Sequence, residues 1–163
     1  SRGETAMPIY YYNTPLGVIL LDMVDDRFTS IQFAQTLSPH KAQDLYTPLP
    51  NPFAADLQHY FKGKPITFTW PLDLQGTPFQ QAVWQELQKI PYGTTVTYKQ
   101  IAQRLSTRGY QAVGQAVGAN PFVIIVPCHR VLGSEGFGGY SYGLPVKRFL
   151  LELENAFPQR DHC

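Results

Sequence analysis

The stretch Asn120-Pro121-Phe122-Val123-Ile124-Ile125-Val126-Pro127-Cys128-His129-Arg130-Val131 sets the tightest constraint on how this chain folds. Phe122 to Val126 are all apolar and must go inside, and they read as a buried strand or extended segment. Pro127 cannot extend a ladder, so the run stops where a thiol, an imidazole and a guanidinium follow in consecutive positions. Cys128 is therefore expected at the mouth of an element, walled by protein. A cation-rich flank favours the thiolate, which is the nucleophilic form. Adjacent side chains on an extended chain point opposite ways, so His129 is expected to reach the sulfur through a bridging water. A direct Cys-His hydrolase dyad is disfavoured on the same ground. The plainer alternative is an inert buried cysteine followed by two solvated loop residues.

A chain of 163 residues suffices for one ordinary domain or two small ones. No run approaches the roughly 18 apolar residues of a membrane span, so no membrane partner is expected. The start, Ser1 to Ala6, lacks the apolar centre of a signal peptide, and Met7 is a candidate initiator. The two cysteines, Cys128 and Cys163, cannot build a disulfide framework and have no zinc spacing, which points to a reducing, cytoplasmic setting without a metal. His40 and His59 stand apart from any ligand cluster and read as surface or interface histidines. A net charge of +1 argues against a nucleic-acid partner taken alone. The charge is unevenly placed, however: residues 1–74 hold five Lys or Arg against seven Asp or Glu, and residues 75–163 hold eight against five.

Residues 1–74 read as an α/β scaffold. Pro8 to Tyr12, Val18 to Val24 and Phe28 to Ala34 predict an antiparallel three-stranded meander. A proline-rich loop follows, and Asn51-Pro52 opens a helix that Gly63 ends, with Phe53, Leu57, Tyr60 and Phe61 on one face. Ile66, Phe68 and Trp70 alternate as a further strand.

Residues 75–163 read as largely helical. Thr77-Pro78 caps a helix with Phe79, Val83, Trp84, Leu87 and Ile90 inward. Thr97 caps a short helix from Tyr98 to Leu105, residues 106–109 turn, and a second helix runs from Tyr110 to Gly118, a helix-turn-helix pattern. That second helix is rich in small residues, and each internal glycine costs about 1 kcal/mol against alanine. Either close packing on a neighbouring helix or approach to a DNA groove would account for it. The loop Gly133 to Gly143 mixes glycine with aromatics and hydroxyls, a composition suited to a flexible connection or to a pocket for a planar base. Pro145 opens the last helix, with Val146, Phe149, Leu150 and Leu153 as its inward stripe; Glu152 and Glu154 flank the stripe, and periodicity does not choose between them.

The run Pro127-Cys128-His129-Arg130-Val131, with Asn120 eight residues before Cys128 and a glycine-rich loop and helix after it, resembles the O6-alkylguanine-DNA alkyltransferases. The resemblance covers most of the chain. It implies an α+β fold: an N-terminal antiparallel sheet with a helix, ribonuclease-H-like, joined to a C-terminal winged helix-turn-helix-like DNA-binding domain. It also implies direct-reversal repair, in which an alkyl group on guanine O6, and on thymine O4, passes irreversibly to Cys128 after the nucleotide is flipped from the duplex. By the same resemblance His129 is the water-bridged base, Glu154, seven residues after Lys147, completes the relay, and Asn120 is the hinge. Tyr98, Val131, Tyr140, Ser141 and Tyr142 would meet the base, and Gln80, Lys99, Thr107, Arg108, Gln111, Arg130 and Ser134 the DNA. No cofactor and no obligatory protein partner are implied, and the protein would act as a monomer.

Two positions depart from the family's pattern. Gln111 stands where an arginine usually fills the gap left by the flipped base, and Tyr142 stands where some members have a small residue. Zinc-binding cysteines found in the first half of some members are absent from this sequence. The alternative reading is a helix-turn-helix DNA-binding protein without chemistry.

Overall fold

The computed structural model describes residues 8–156. Met7 and Cys163 lie outside the described residues.

The expected meander forms: β1 (Ile9–Thr14), β2 (Gly17–Val24) and β3 (Arg27–Ala34) pair antiparallel in consecutive order. Alternation along β2 and β3 sends Ile19, Leu21, Phe28, Ile31 and Phe33 into the core. The proline-rich loop is more ordered than its composition suggests. Ser38 accepts from the Lys41 amide and Pro39 occupies the first turn, which starts α1 (Pro39–Leu45). β4 (Thr47–Pro48) then adds a parallel edge to β1, giving the sheet order β3-β2-β1-β4.

Helix α2 (Phe53–Phe61) buries Leu57 and Tyr60. Asn51 accepts from the Ala55 amide, so its capping role holds, although Pro52 sits before the helix rather than within its first turn. The expected strand at Ile66, Phe68 and Trp70 keeps the alternating burial but joins no sheet. Phe28, Phe53, Phe68 and Trp70 instead make a ring cluster with centroids about 5 Å apart, and side-chain packing replaces a ladder.

The second half begins with α3 (Pro78–Gln88), whose N-terminus carries a reciprocal capping box between Thr77 and Gln80. β5 (Val96–Thr97) leads into α4 (Tyr98–Arg104), capped in the same way by Thr97 and Gln100, and α5 (Tyr110–Gly118) follows after one turn. Trp84 on α3 donates from its indole to the Ala116 carbonyl at 2.8 Å, fixing α5. A short 3-10 turn (Cys128–Arg130) precedes β6 (Val131–Leu132), which pairs parallel with β5, and α6 (Leu144–Leu153) closes the described chain.

The run from Phe122 to Val126 is buried as expected, but it is not a strand. A single pair of bonds ties it to the outer edge of β3: the Ile31 amide donates to the Pro121 carbonyl and the Val123 amide to the Ile31 carbonyl. It then folds into a tight turn with Ile124 at φ +72°. A β-branched residue in the left-handed region costs on the order of 1–3 kcal/mol, and persists only where its surroundings fix it. Here the surroundings are the sheet edge on one side and Asn120 on the other. The turn that leads to Cys128 is thus mounted on the N-terminal sheet, and the buried residues of both halves join in one continuous core.

Candidate active site

Asn120 organises the turn. Its Oδ1 accepts from the Phe122 amide at 2.9 Å, while Nδ2 donates to the Val126 carbonyl at 2.7 Å and to Cys128 Sγ at 3.1 Å. The Phe122 carbonyl lies within reach of the same Nδ2 at 3.3 Å, so three acceptors share the two N–H donors of the carboxamide. The residue therefore sets the backbone turn and marks the position of the sulfur with one side chain.

Burial pushes the Cys128 thiol above its ordinary value, and the Asn120 donor and the Lys147 charge pull it back. The cationic flank expected from the sequence is directed elsewhere. Arg130 is buried rather than facing DNA, with Nε donating to Glu154 Oε1 at 2.8 Å, Nη2 to Oε2 at 3.1 Å and Nη1 to the Ile90 carbonyl at 2.7 Å. The reason is the 3-10 turn. Three consecutive residues in a tight helix diverge, and the guanidinium swings inward to the one carboxylate it can neutralise.

His129 is fully buried, and its Nε2–H donates to Glu154 Oε2 at 2.6 Å. Accepting carboxylate oxygen fixes the tautomer, so Nδ1 carries the lone pair. Nδ1 has no protein partner, which leaves it as the acceptor through which a water can connect to the thiol. Burial lowers the His129 pKa while the Glu154 bond and charge raise it, with a net lowering, so the imidazole is neutral near pH 7 and can take a proton.

Glu154 follows α6 at its C-terminal cap and is buried, whereas Glu152 is exposed and pairs with Arg148. The structure thereby makes the choice that periodicity could not. Burial alone would raise the Glu154 carboxyl, but bonds and charge from His129 and Arg130 outweigh it and hold the pKa at about 2. Two further donors reach it: the Gly93 amide to Oε1 at 3.3 Å and the Tyr60 hydroxyl to Oε2 at 2.5 Å.

The sulfur lies at a cavity of about 290 Å³ lined by Tyr98, Gly114, Val117, Gly118, Gly139, Tyr140 and Ser141. That is close to the lower end of the range for small-molecule sites. A Cβ at Gly114 or Gly118 would meet no atom within 4 Å, so these two glycines are not explained by helix packing, unlike the buried Ala116; they leave the cavity open. The loop behind it is fixed from below by Lys147, which is fully buried in a position the sequence stripe did not include. Its ammonium donates to the carbonyls of Val131 at 2.6 Å, Gly139 at 3.0 Å and Phe137. Gly138 is required there: at φ +73°, its absent Cβ would sit 2.8 Å from the Tyr98 ring. Ser141 Oγ donates to the Gly118 carbonyl at 3.0 Å, closing loop onto helix, and the buried Tyr140 hydroxyl has no protein partner.

Tyr142 lines an adjoining cavity of about 320 Å³ that also reaches Cys128, and its ring packs on Phe33 of β3. Val131 does not line the principal cavity; it is buried and contributes its carbonyl to Lys147. Of the residues expected at DNA, Lys99, Arg108, Gln111 and Ser134 are exposed. Gln80 is occupied by the α3 capping box, and Thr107 Oγ1 accepts from the Gly109 amide in the turn before α5. Among the described residues no group of three or more His, Cys, Asp or Glu side chains could hold a metal ion, and no helix is long and apolar enough to cross a membrane.

Sequence reasoning missed Tyr60 and the inward role of Arg130, and it used Lys147 only as a spacing mark. Tyr60 carries no signal of its own, since it falls on the apolar face of α2 like any core aromatic. Lys147 could have been found, because a lysine three residues before Leu150 shares the buried face of α6.

Comparison with known proteins finds relatives along most of the described chain. Residues 9–74 match the model of the 6-O-methylguanine DNA methyltransferase ribonuclease-like domain, and residues 78–156 that of the 6-O-methylguanine DNA methyltransferase DNA binding domain. A methylated-DNA–protein-cysteine methyltransferase of Saccharolobus solfataricus is 42% identical over 143 residues, which cover 88% of this chain and 92% of that protein. One from Haemophilus influenzae is 41% identical over 161 residues, covering 92% and 87%. The crystal structure of Mycobacterium tuberculosis O6-methylguanine methyltransferase superposes with a TM-score of 0.78 at 39% identity, covering 96% of this chain and 98% of that one. A structure of the same organism's protein in complex with DNA gives 0.78 at 38% identity, with 94% and 96% covered. With both family models and these relatives spanning nearly all of its described residues, the chain belongs to the methylated-DNA–protein-cysteine methyltransferase family.

Proposed function

We propose that this protein repairs DNA by moving an alkyl group from O6-alkylguanine, and from O4-alkylthymine, irreversibly onto Cys128. The observation that carries the reading is the sulfur at the floor of an open cavity, held by Asn120, beside a buried Glu154–His129 pair whose free Nδ1 can accept a proton.

The roles follow from the atoms. A water held at His129 Nδ1 relays the thiol proton to the imidazole, and Glu154 stabilises the imidazolium that forms. The thiolate then attacks the alkyl carbon, the C–O6 bond breaks, and the electron pair leaves on the guanine. Donors at the pocket wall stabilise that developing charge: we assign this to the hydroxyls of Tyr98 and Tyr140, which line the cavity, the Tyr140 hydroxyl having no protein partner, while the Ser141 hydroxyl is already given to the Gly118 carbonyl. The product is a thioether with no leaving group, so each molecule acts once. Because O6 lies inside the stack, the nucleotide must enter the cavity by flipping, at a cost of a few kcal/mol.

Residues 1–74 are read as a ribonuclease-H-like scaffold, and residues 75–163 as a winged helix-turn-helix-like domain in which α5 enters the groove and Lys99, Arg108, Gln111 and Ser134 meet the duplex. We read the protein as a cytoplasmic monomer. A DNA-binding protein without chemistry would have no use for the buried relay.

The test is intact mass after incubation with a duplex containing O6-methylguanine. One added methyl, about 14 Da, located on Cys128 by peptide mass, is expected of a single-use acceptor. Uptake at the wild-type level by Cys128→Ala would refute the assignment.

A further inference from the structure

Tyr60 is fully buried on α2, more than sixty residues from the active-site turn, and rings of Phe61, Phe68 and Tyr92 surround it at centroid distances of 5.2, 5.7 and 6.1 Å. Packing alone would be served by phenylalanine, which buries the same ring without desolvating a hydroxyl. The hydroxyl is directed at the Glu154–His129 pair. It donates to Glu154 Oε2 at 2.5 Å, the oxygen that accepts His129 Nε2–H at 2.6 Å, and its own oxygen lies 3.4 Å from that nitrogen.

We propose that Tyr60 is a positioning residue of the relay, by which the N-terminal half of the chain holds the Glu154 carboxylate and limits the proton affinity that this carboxylate confers on His129. The inference deepens the alkyl-transfer reading and rests on it. A carboxylate oxygen shared by several donors has less charge to offer each one. Oε2 takes Tyr60, His129 and Arg130 Nη2, and Oε1 takes Arg130 Nε and the Gly93 amide. Of the side-chain donors, only Tyr60 and His129 are uncharged, and only Tyr60 can be removed without stranding a charge. The other ionisable groups acting on His129 are Arg130 from its own turn and Lys147 from α6, both of which oppose its protonation. Removing the Tyr60 donor frees carboxylate charge, strengthens the hold on the imidazolium proton, and leaves His129 already protonated at a pH where it must accept from the thiol.

The test compares the full-length wild type with Tyr60→Phe. Cys128 alkylation by iodoacetamide is followed by peptide mass between about pH 5 and pH 9, the range that brackets an imidazole. Single-turnover methyl uptake from an O6-methylguanine duplex is measured alongside. The acid limb of Cys128 reactivity should move to higher pH by about half a unit, a threefold gain in His129 proton affinity. In a Glu154→Gln background the same substitution should leave the limb in place. An unmoved limb in Tyr60→Phe, even with a lowered melting temperature, would overturn the proposal, as would a shift that persists without Glu154. A shifted iodoacetamide limb with no methyl uptake from DNA by either protein would refute the transfer reading and leave the Tyr60 relay supported.

Discussion

Replacing Glu154 with glutamine should destabilise this protein more than removing any single charge of the preceding helix α6, and the size of the effect can be worked from its partners. A carboxyl held at about 2 instead of its ordinary 4.5 contributes about 3 kcal/mol of stability at neutral pH, at roughly 1.4 kcal/mol for each pH unit. Mutational experience with buried pairs gives the same scale, about 3–5 kcal/mol, because the Arg130 guanidinium is left buried without its counter-charge. Glutamine also turns an N–H₂ toward donors that need an acceptor. The control is Glu152→Gln, whose Arg148 partner lies 3.4 Å away with both side chains about half exposed, and which should cost less than about 1 kcal/mol. The sign of the pH dependence follows. Glu154 has a depressed folded pKa, so its contribution is complete above about pH 4.5 and is lost as pH falls toward about 2. Denaturant unfolding from pH 7 down to pH 3 should show wild type losing stability that Glu154→Gln never had, so the two curves converge. Curves that stay parallel, or equal costs for the two glutamine variants, would refute the reasoning. Single-turnover transfer should fall with Glu154→Gln and be nearly unchanged with Glu152→Gln.

Lys147→Met should cost about 1–3 kcal/mol by leaving the Val131, Phe137 and Gly139 carbonyls without a donor, and it should slow transfer and speed proteolysis in the loop at residues 133–139. Lys147 itself is lowered by burial to about 8, so wild-type stability should rise as pH passes from about 8 toward 10.5, where the unfolded chain still holds the proton and the folded one has released it. Gly114→Leu should keep or raise the melting temperature, because nothing lies within 4 Å of its Cβ and helix propensity improves by about 1 kcal/mol, yet it should block methyl uptake by filling the cavity. A Gly114→Leu protein that is unfolded, or fully active, would contradict that account of α5.

The elements that were legible in the sequence are those whose information is local. Capping boxes at Thr77 and Thr97, the alternation in β2 and β3, and the stop at Gly63 each depend on residues within a few positions. The apolar run before Cys128 was legible as buried but not as a turn, because its shape is imposed by Asn120 and by the edge of β3, ninety residues earlier. The site divides in the same way. Cys128, His129 and Asn120 are close in the chain and were identified together. Arg130 is expected at DNA only through the family resemblance; its inward turn depends on a carboxylate that arrives with the last helix. Tyr60 was unreadable, since only the packed structure brings a core-like aromatic against that carboxylate.

Gln111 stands where the resemblance drawn from the sequence expects an arginine, and its position makes the consequence testable. It is exposed in the first turn of α5, three residues before Gly114 and seven before Gly118, so helical spacing puts it on the same face as these two cavity-lining glycines, about one turn before the first of them. A side chain on that face can enter the space a flipped nucleotide leaves and bond the orphaned partner base. Arginine does this with a long stem, a planar head and five donors; glutamine has a shorter reach, no charge and one carboxamide. A positive charge in the first turn opposes the helix dipole at a cost of about 0.3–1 kcal/mol, so Gln111→Arg should lower stability slightly. It should nonetheless raise the transfer rate on duplex DNA, because the flipped state gains, while reaction with a free O6-alkylguanine base stays unchanged, because nothing there needs flipping. Gln111→Ala should lower only the duplex rate. Parallel changes on duplex and free base would show that Gln111 shapes the pocket rather than the stack, and no change on either would transfer the wedge role to its exposed neighbour Tyr110.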